Sequence, residues 1–135
     1  MVFNYGLNMA IYAIGHDIVE NERIEKLLNQ YDQKLVEKVL SKSEQETLAT
    51  KTDKTRFIAK RFAAKEAFAK ACGTGLRAPV LMPSISIAND GLGKPYFIFD
   101  DRILAWLDEK QIFSCHLSLS DETNLSSAFV VLEKA

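Results

Sequence analysis

The chain has 135 residues, 47% of them hydrophobic and 26% charged, with 17 basic and 18 acidic side chains and a formal charge of −1. That length suits one domain with a real core and leaves little room for two, while the near-neutral balance excludes a general nucleic-acid binder, whose affinity rests on net positive surface. The two cysteines, Cys72 and Cys115, sit inside apolar or regular segments, which argues for packing residues in a reducing, cytoplasmic setting rather than for a disulfide framework.

In chain order, the opening MVFNYGLNMAIYAIG is apolar but lacks a basic n-region and runs straight into charged sequence, so neither a signal peptide nor a membrane span is expected. Met9 is an alternative start; residues 1–8 read as an N-terminal extension and 9–135 as a single domain. IYAI at 11–14 reads as a short strand that Gly15 turns into a helix, with Asp17 at the turn. Ile24, Leu27 and Leu28 form that helix's inward stripe, and Glu20, Arg23 and Lys26 face solvent. A second helix is predicted near 32–40, and Ser43 with Glu46 makes a capping-box pattern for a third. Asp53 or Thr55 can cap a long central helix at about 55–72. Pro79 and Pro83 bound an irregular crossing, after which 84–88 and 96–99 read as a hairpin around a turn-rich loop. A helix near 101–109 precedes two more strands, 114–120 and 127–132. Helices early and antiparallel strands late make an α+β fold, with helices packed on an antiparallel sheet.

The stretch from Lys51 to Lys70 holds seven basic residues against Asp53 and Glu66. A charge run is most often a solvated helix face. Here, however, helical spacing sets Glu66 on one strip with Ala59, Ala63 and Lys70, beside a cationic ridge of Arg61 and Lys65. Phe57, Phe62 and Phe68 spread around the same helix and predict packing on more than one side. Asp17 has an ordinary reading as a helix N-cap, and Glu66 has one as the acidic partner of Lys70. If the two carboxylates meet, each resists the other's ionisation until a divalent cation arrives. Magnesium suits such a site, since it prefers oxygen and is commonly completed by water and substrate phosphates. Gly73-Thr74-Gly75 reads either as a helix C-cap or as backbone amides and a hydroxyl open to a phosphate, with Arg61, Lys65 and Lys70 supplying charge. Lys94, in Gly91-Leu92-Gly93-Lys94-Pro95, adds a further cation or is an ordinary turn lysine. His16 and His116 are too few for a zinc set, and no hydrolase nucleophile turn is recognisable.

Gly15-His16-Asp17-Ile18-Val19-Glu20, Arg61-Phe62-Ala63-Ala64-Lys65-Glu66-Ala67, Gly73-Thr74-Gly75 and Gly93-Lys94-Pro95 together give the chain, from about Ile11 onward, a resemblance to the holo-[acyl-carrier-protein] synthases, small phosphopantetheinyl transferases. The resemblance implies transfer of 4′-phosphopantetheine from coenzyme A to a serine of apo acyl carrier protein, with release of adenosine 3′,5′-bisphosphate, in fatty acid biosynthesis. It implies Asp17 and Glu66 as magnesium ligands, with Lys70 beside them in the catalytic group. Arg61, Lys65, Lys70, Gly73, Thr74 and Lys94 fall at or near the coenzyme, and Arg23, with Lys26, on the helix that docks the acidic carrier. Glu66, directly or through water held by the metal, is the candidate base for the carrier serine. A homotrimer with sites at subunit boundaries is the implied assembly.

Two positions depart from the family pattern. Ser118-Leu119-Ser120-Asp121 stands where many members have Ser-Ile-Ser-His, so a carboxylate replaces a possible cation near the coenzyme's adenosine end, and binding weakens unless another basic group compensates or Asp121 points away. His16 stands where a small or aliphatic residue is more usual, and packing is its simplest role. The alternative of another class is a non-catalytic module that binds coenzyme A or the carrier protein. Broad-specificity transferases of the same chemistry are about twice as long, with an internal duplication for which one domain has no room.

Overall fold

The computed structural model of the chain describes residues 10–135; the extension at residues 1–8 and the alternative start at Met9 lie outside the described residues. The elements run β1 (Ala10–Glu20), α1 (Asn21–Tyr31), α2 (Gln33–Val39), α3 (Lys42–Leu48), α4 (Lys54–Cys72), β2 (Ile85–Asn89), β3 (Pro95–Phe99), α5 (Asp101–Glu109), β4 (Ile112–Asp121) and β5 (Leu125–Lys134). The α+β expectation holds, with one refinement: the strands form a three-stranded antiparallel sheet, ordered β1-β5-β4, and a separate β2-β3 ribbon.

The first strand corrects the sequence reading. β1 does not stop at Gly15; it continues to Glu20, paired with β5 from Ala10↔Lys134 to Glu20↔Leu125. Its backbone groups therefore find partners through the glycine. Gly15 serves a close approach instead of a turn. A Cβ there would collide with the carbonyl of Ala67 and crowd the backbone nitrogen of Ala71, so the missing side chain is what lets α4 lie against β1. Strand alternation then sorts β1 into two faces. Gly15 and Val19 are buried with Asp17 half-buried beside them, while Ile14, His16 and Ile18 are exposed. His16 thus packs on the outer face, edge-on to Phe129.

α4 carries its apolar side chains nearly all round. Phe57, Ile58, Ala59, Ala63, Ala64, Ala67, Phe68 and Ala71 are all buried, and Phe62 is half-buried. A helix apolar on every side belongs in the middle of a structure. Asp53 supplies its N-cap by accepting from the Arg56 N–H, and Gly73 ends it in the left-handed region at φ 76°. On one side α4 meets the three-stranded sheet. On the other, Phe68 packs on Phe97 and Phe99, with ring centroids 5.3 and 4.7 Å away, and so holds the ribbon.

The cap of α3 also differs from the sequence reading. SKSEQE contains two overlapping S-x-x-E patterns, and the structure uses the first. Ser41 Oγ accepts from the Glu44 N–H, and Glu44 Oε1 accepts from the Ser41 N–H. Ser43 and Glu46 stay exposed. Glu44 wins because its carboxylate has buried cations to meet.

Candidate active site

Asp17 and Glu66 come together across the contact that Gly15 permits. Asp17 sits mid-strand on β1, facing α4, rather than capping a helix; the N-cap position of α1 falls to Glu20, which makes no side-chain cap bond. Lys70 Nζ donates to Asp17 Oδ1 at 3.0 Å and to the His16 carbonyl at 3.0 Å. Glu66, one turn before Lys70, is half-buried. Its carboxyl is held above the usual range, first by desolvation and next by the charge of Asp17, with Lys70 and Arg23 pulling the other way. The result is two carboxylates and one lysine at a strand-helix seam.

The two cations of the expected ridge turn inward instead. Lys65 is fully buried, paired with Glu44 and donating to the Val39 carbonyl. Arg61 is 7% exposed and lies over Phe57, its guanidinium carbon 3.6 Å from the ring centroid. Its Nε stands 3.4 Å from Glu44 Oε2, near enough for ion pairing, but the N–H is not aimed to form a hydrogen bond. Both side chains are thus committed within the fold, whereas the sequence reading has this cationic ridge supplying charge to a bound phosphate. Burial depresses Lys65 to about 8 despite the carboxylate beside it. The loss of hydration outweighs the pairing.

The remaining candidates lie farther out. Thr74 directs its hydroxyl to the Gly75 carbonyl at 2.8 Å. Lys94 is exposed at the end of the ribbon loop, and among the described residues it makes no bond to Asp17, Glu66 or Lys70. Arg23 lies over Phe62 at 5.5 Å and lines a cleft of about 410 Å3 that reaches Glu66. Lys34 and Lys38 edge that cleft, and Leu27, Leu35 and Met82 help line it. Lys26 is not part of the cleft; it pairs with Glu22 on the open side of α1. A larger hollow of about 640 Å3, near Leu28, Val36 and Ile58, touches neither carboxylate. Asp121 is taken up by Arg56 at 3.3 Å, so this carboxylate is charge-paired. Sequence reading missed Glu44, Arg56, Lys34 and Lys38; only Glu44 left a signal, in the first S-x-x-E.

A profile of the 4′-phosphopantetheinyl transferase superfamily matches residues 13–129, most of the chain and both carboxylates. The chain belongs to the 4′-phosphopantetheinyl transferase superfamily. Among superfamily members, the holo-[acyl-carrier-protein] synthase of Nitrosomonas eutropha is 49% identical over 124 residues, which cover 92% of this chain and 99% of that one. The crystal structure of holo-[acyl-carrier-protein] synthase from Neisseria meningitidis matches with a TM-score of 0.91 at 43% identity, covering 93% of this chain and 100% of the other. The Helicobacter pylori synthase, solved in complex with coenzyme A, matches with a TM-score of 0.77 at 32% identity, over 88% and 98% of the two chains. Among the described residues, no helix is long and apolar enough to cross a membrane.

Proposed function

We propose that this chain transfers 4′-phosphopantetheine from coenzyme A to a serine of apo acyl carrier protein, releasing adenosine 3′,5′-bisphosphate, as a cytoplasmic enzyme of fatty acid biosynthesis. The observation that carries the reading is the Asp17–Glu66–Lys70 group, set at the seam that Gly15 opens and next to a basic-edged cleft. Related chains named holo-[acyl-carrier-protein] synthase support it.

The residues fit magnesium. Asp17 and Glu66 offer hard carboxylate oxygens, and the raised Glu66 carboxyl marks a pair whose mutual repulsion a dication relieves. Among the described residues no third acidic, histidine or cysteine ligand joins them, which matches a cation that keeps waters and is completed by a diphosphate. When bound, the ion supplies Lewis-acid neutralisation of the diphosphate. Lys70 fixes the Asp17 carboxylate on the strand side and adds positive charge where the leaving group gathers its negative charge. Glu66, a stronger base than an ordinary glutamate, receives the proton of the carrier serine, directly or through water. The serine oxygen then attacks the pantetheine-side phosphorus, and the bond to the nucleotide-side oxygen breaks.

Gly73, Thr74 and Lys94 remain the proposed coenzyme contacts, with Lys70. Arg61 and Lys65 act from beneath, by shaping α4. For the carrier protein, the cleft of Arg23, Lys34 and Lys38 over Leu27 and Phe62 fits an acidic amphipathic helix. Lys26 would contribute at most to long-range steering.

A homotrimer accords with the outer face of the three-stranded sheet, where Ile14 is 58%, Ile18 56% and Phe129 43% exposed side by side. Sedimentation of wild type and Phe129→Glu checks this: a trimer that dissociates supports it, and a monomeric wild type at micromolar concentration rejects it. The function itself is tested by release of adenosine 3′,5′-bisphosphate from coenzyme A. Release that requires apo carrier protein and magnesium is expected; coenzyme A binding with no release would favour a non-catalytic binding module.

A further inference from the structure

Glu44 lies outside the catalytic group, yet its carboxylate bonds to three separate segments: the Ser41 turn, helix α4 and strand β2. It is 3% exposed. Oε1 accepts from the Ser41 N–H at 3.0 Å and from Lys65 Nζ, and Oε2 accepts from the Ile87 N–H at 2.9 Å. Lys65 in turn donates to Val39 at the end of α2, and Ser86 Oγ donates to Ser41 Oγ at 2.6 Å. One carboxylate therefore joins α3 to α4 on one side and to β2 on the other.

Each arm leads to a part of the proposed site. Lys65 immediately precedes Glu66 on a continuous helix. Ile87 lies three residues before Asp90, whose Oδ1 accepts from the N–H groups of Leu92 and Lys94, both at 2.9 Å, while the Asp90 N–H donates to the Lys94 carbonyl. The loop that follows β2 is thus braced from Asp90 to Lys94 by hydrogen bonds of its own. Stability alone would not call for a polar linkage here, because Phe68, Phe97 and Phe99 already hold ribbon and helix together. Apolar packing fixes contact, whereas directed bonds to a backbone N–H fix register along the strand.

We infer that Glu44 is a positioning residue for coenzyme A, setting the ribbon loop that carries Lys94 at a fixed distance from the helix that carries Glu66. This rests on the transferase reading, with Lys94 as a coenzyme contact. Charge is needed as well as shape: a neutral amide at this position would leave Lys65 without its anion and weaken the bond to Ile87.

The experiment is a double-mutant cycle of Glu44→Gln and Lys94→Ala, read by calorimetric affinity for coenzyme A and by KM for each substrate, at a temperature where circular dichroism shows the variants folded. Glu44→Gln should weaken coenzyme A binding roughly tenfold, a fraction of what an ångström of misplacement can cost, and change the carrier-protein KM by less than about twofold. Lys94→Ala should weaken binding in the wild type and have little further effect beside Glu44→Gln. Should the glutamine variant fail to fold, Glu44→Asp, which keeps the charge but draws it back by one methylene, is expected to give the same selective loss. Full additivity of the two changes, or equal changes in both KM values, would overturn the inference while leaving the transferase reading intact. A wild type that binds no coenzyme A would remove both.

Discussion

Lys70 Nζ stands 3.0 Å from Asp17 Oδ1, bridging helix α4 and strand β1 at the point where Gly15 lets their backbones approach. The lysine is 54% exposed at its side chain and the aspartate 15%, so the pair is open enough to meet a substrate and ordered enough to aim a carboxylate. Lys70→Met leaves Asp17 without its outer partner and should lower kcat/KM for transfer by about 10- to 100-fold, the usual loss for a partner of a metal-binding carboxylate. Steady-state kinetics across a magnesium titration checks this. Unchanged kinetics would remove Lys70 from the site.

The raised Glu66 carboxyl sets activity against stability. Its folded-state value lies above the ordinary 4.5, so between the two the folded chain binds more protons than the unfolded chain, and stability falls as pH rises through that window. Once ionised, Glu66 is therefore a burden on the fold. Glu66→Gln is expected to raise the melting temperature measured without magnesium while turnover falls by about 100-fold or more. A lower melting temperature would mean that the carboxylate is favourably placed in the resting protein.

Lys65 holds its proton less firmly than a surface lysine. Its value falls from the ordinary 10.5 to about 8, because burial outweighs the attraction of Glu44. Between those values the unfolded chain binds the extra proton, so this group makes stability rise with pH from about 8 towards 10.5. Selective labelling of lysine side chains should show one resonance titrating near 8, and that signal should vanish in Lys65→Met. The same substitution strands the buried Glu44 carboxylate and should cost about 3–5 kcal/mol by urea unfolding.

Gly15→Ala places a methyl against the Ala67 carbonyl, a backbone atom that cannot swing aside. Strand and helix must separate, at about 1–3 kcal/mol for an overpacked contact. Because Asp17 and Glu66 sit on the two sides of that seam, transfer should fall even under conditions where the variant is fully folded. Denaturation and kinetics on one sample separate the two effects; a folded, fully active Gly15→Ala would show that the close approach does not set the site.

Sequence periodicity made most helices and the late strands legible. The run of alanines and phenylalanines at 57–72 announces a buried central helix, and the alternation at 114–120 announces a half-buried strand. The errors share a cause: local signals were outvoted by contacts distant in sequence. Gly15 looked like a turn because its partner, Ala67, lies on another element. Ser43 with Glu46 reads as the cap because nothing local says that Glu44 will meet Lys65 and Ile87. Arg61 and Lys65 read as a ridge open to a phosphate because helical spacing gives relative angle, not which side is covered. The charge character of the seam is readable nonetheless, since Asp17 interrupts an apolar run and Glu66 and Lys70 share one strip of an otherwise alanine-rich helix.

Magnesium-dependent pantetheinylation can be read from the intact mass of an apo acyl carrier protein incubated with coenzyme A, magnesium and this protein. The carrier should gain the mass of one phosphopantetheine group, with the gain lost on chelation and in Asp17→Asn. A carrier of unchanged mass, from a protein that still binds coenzyme A, would contradict it.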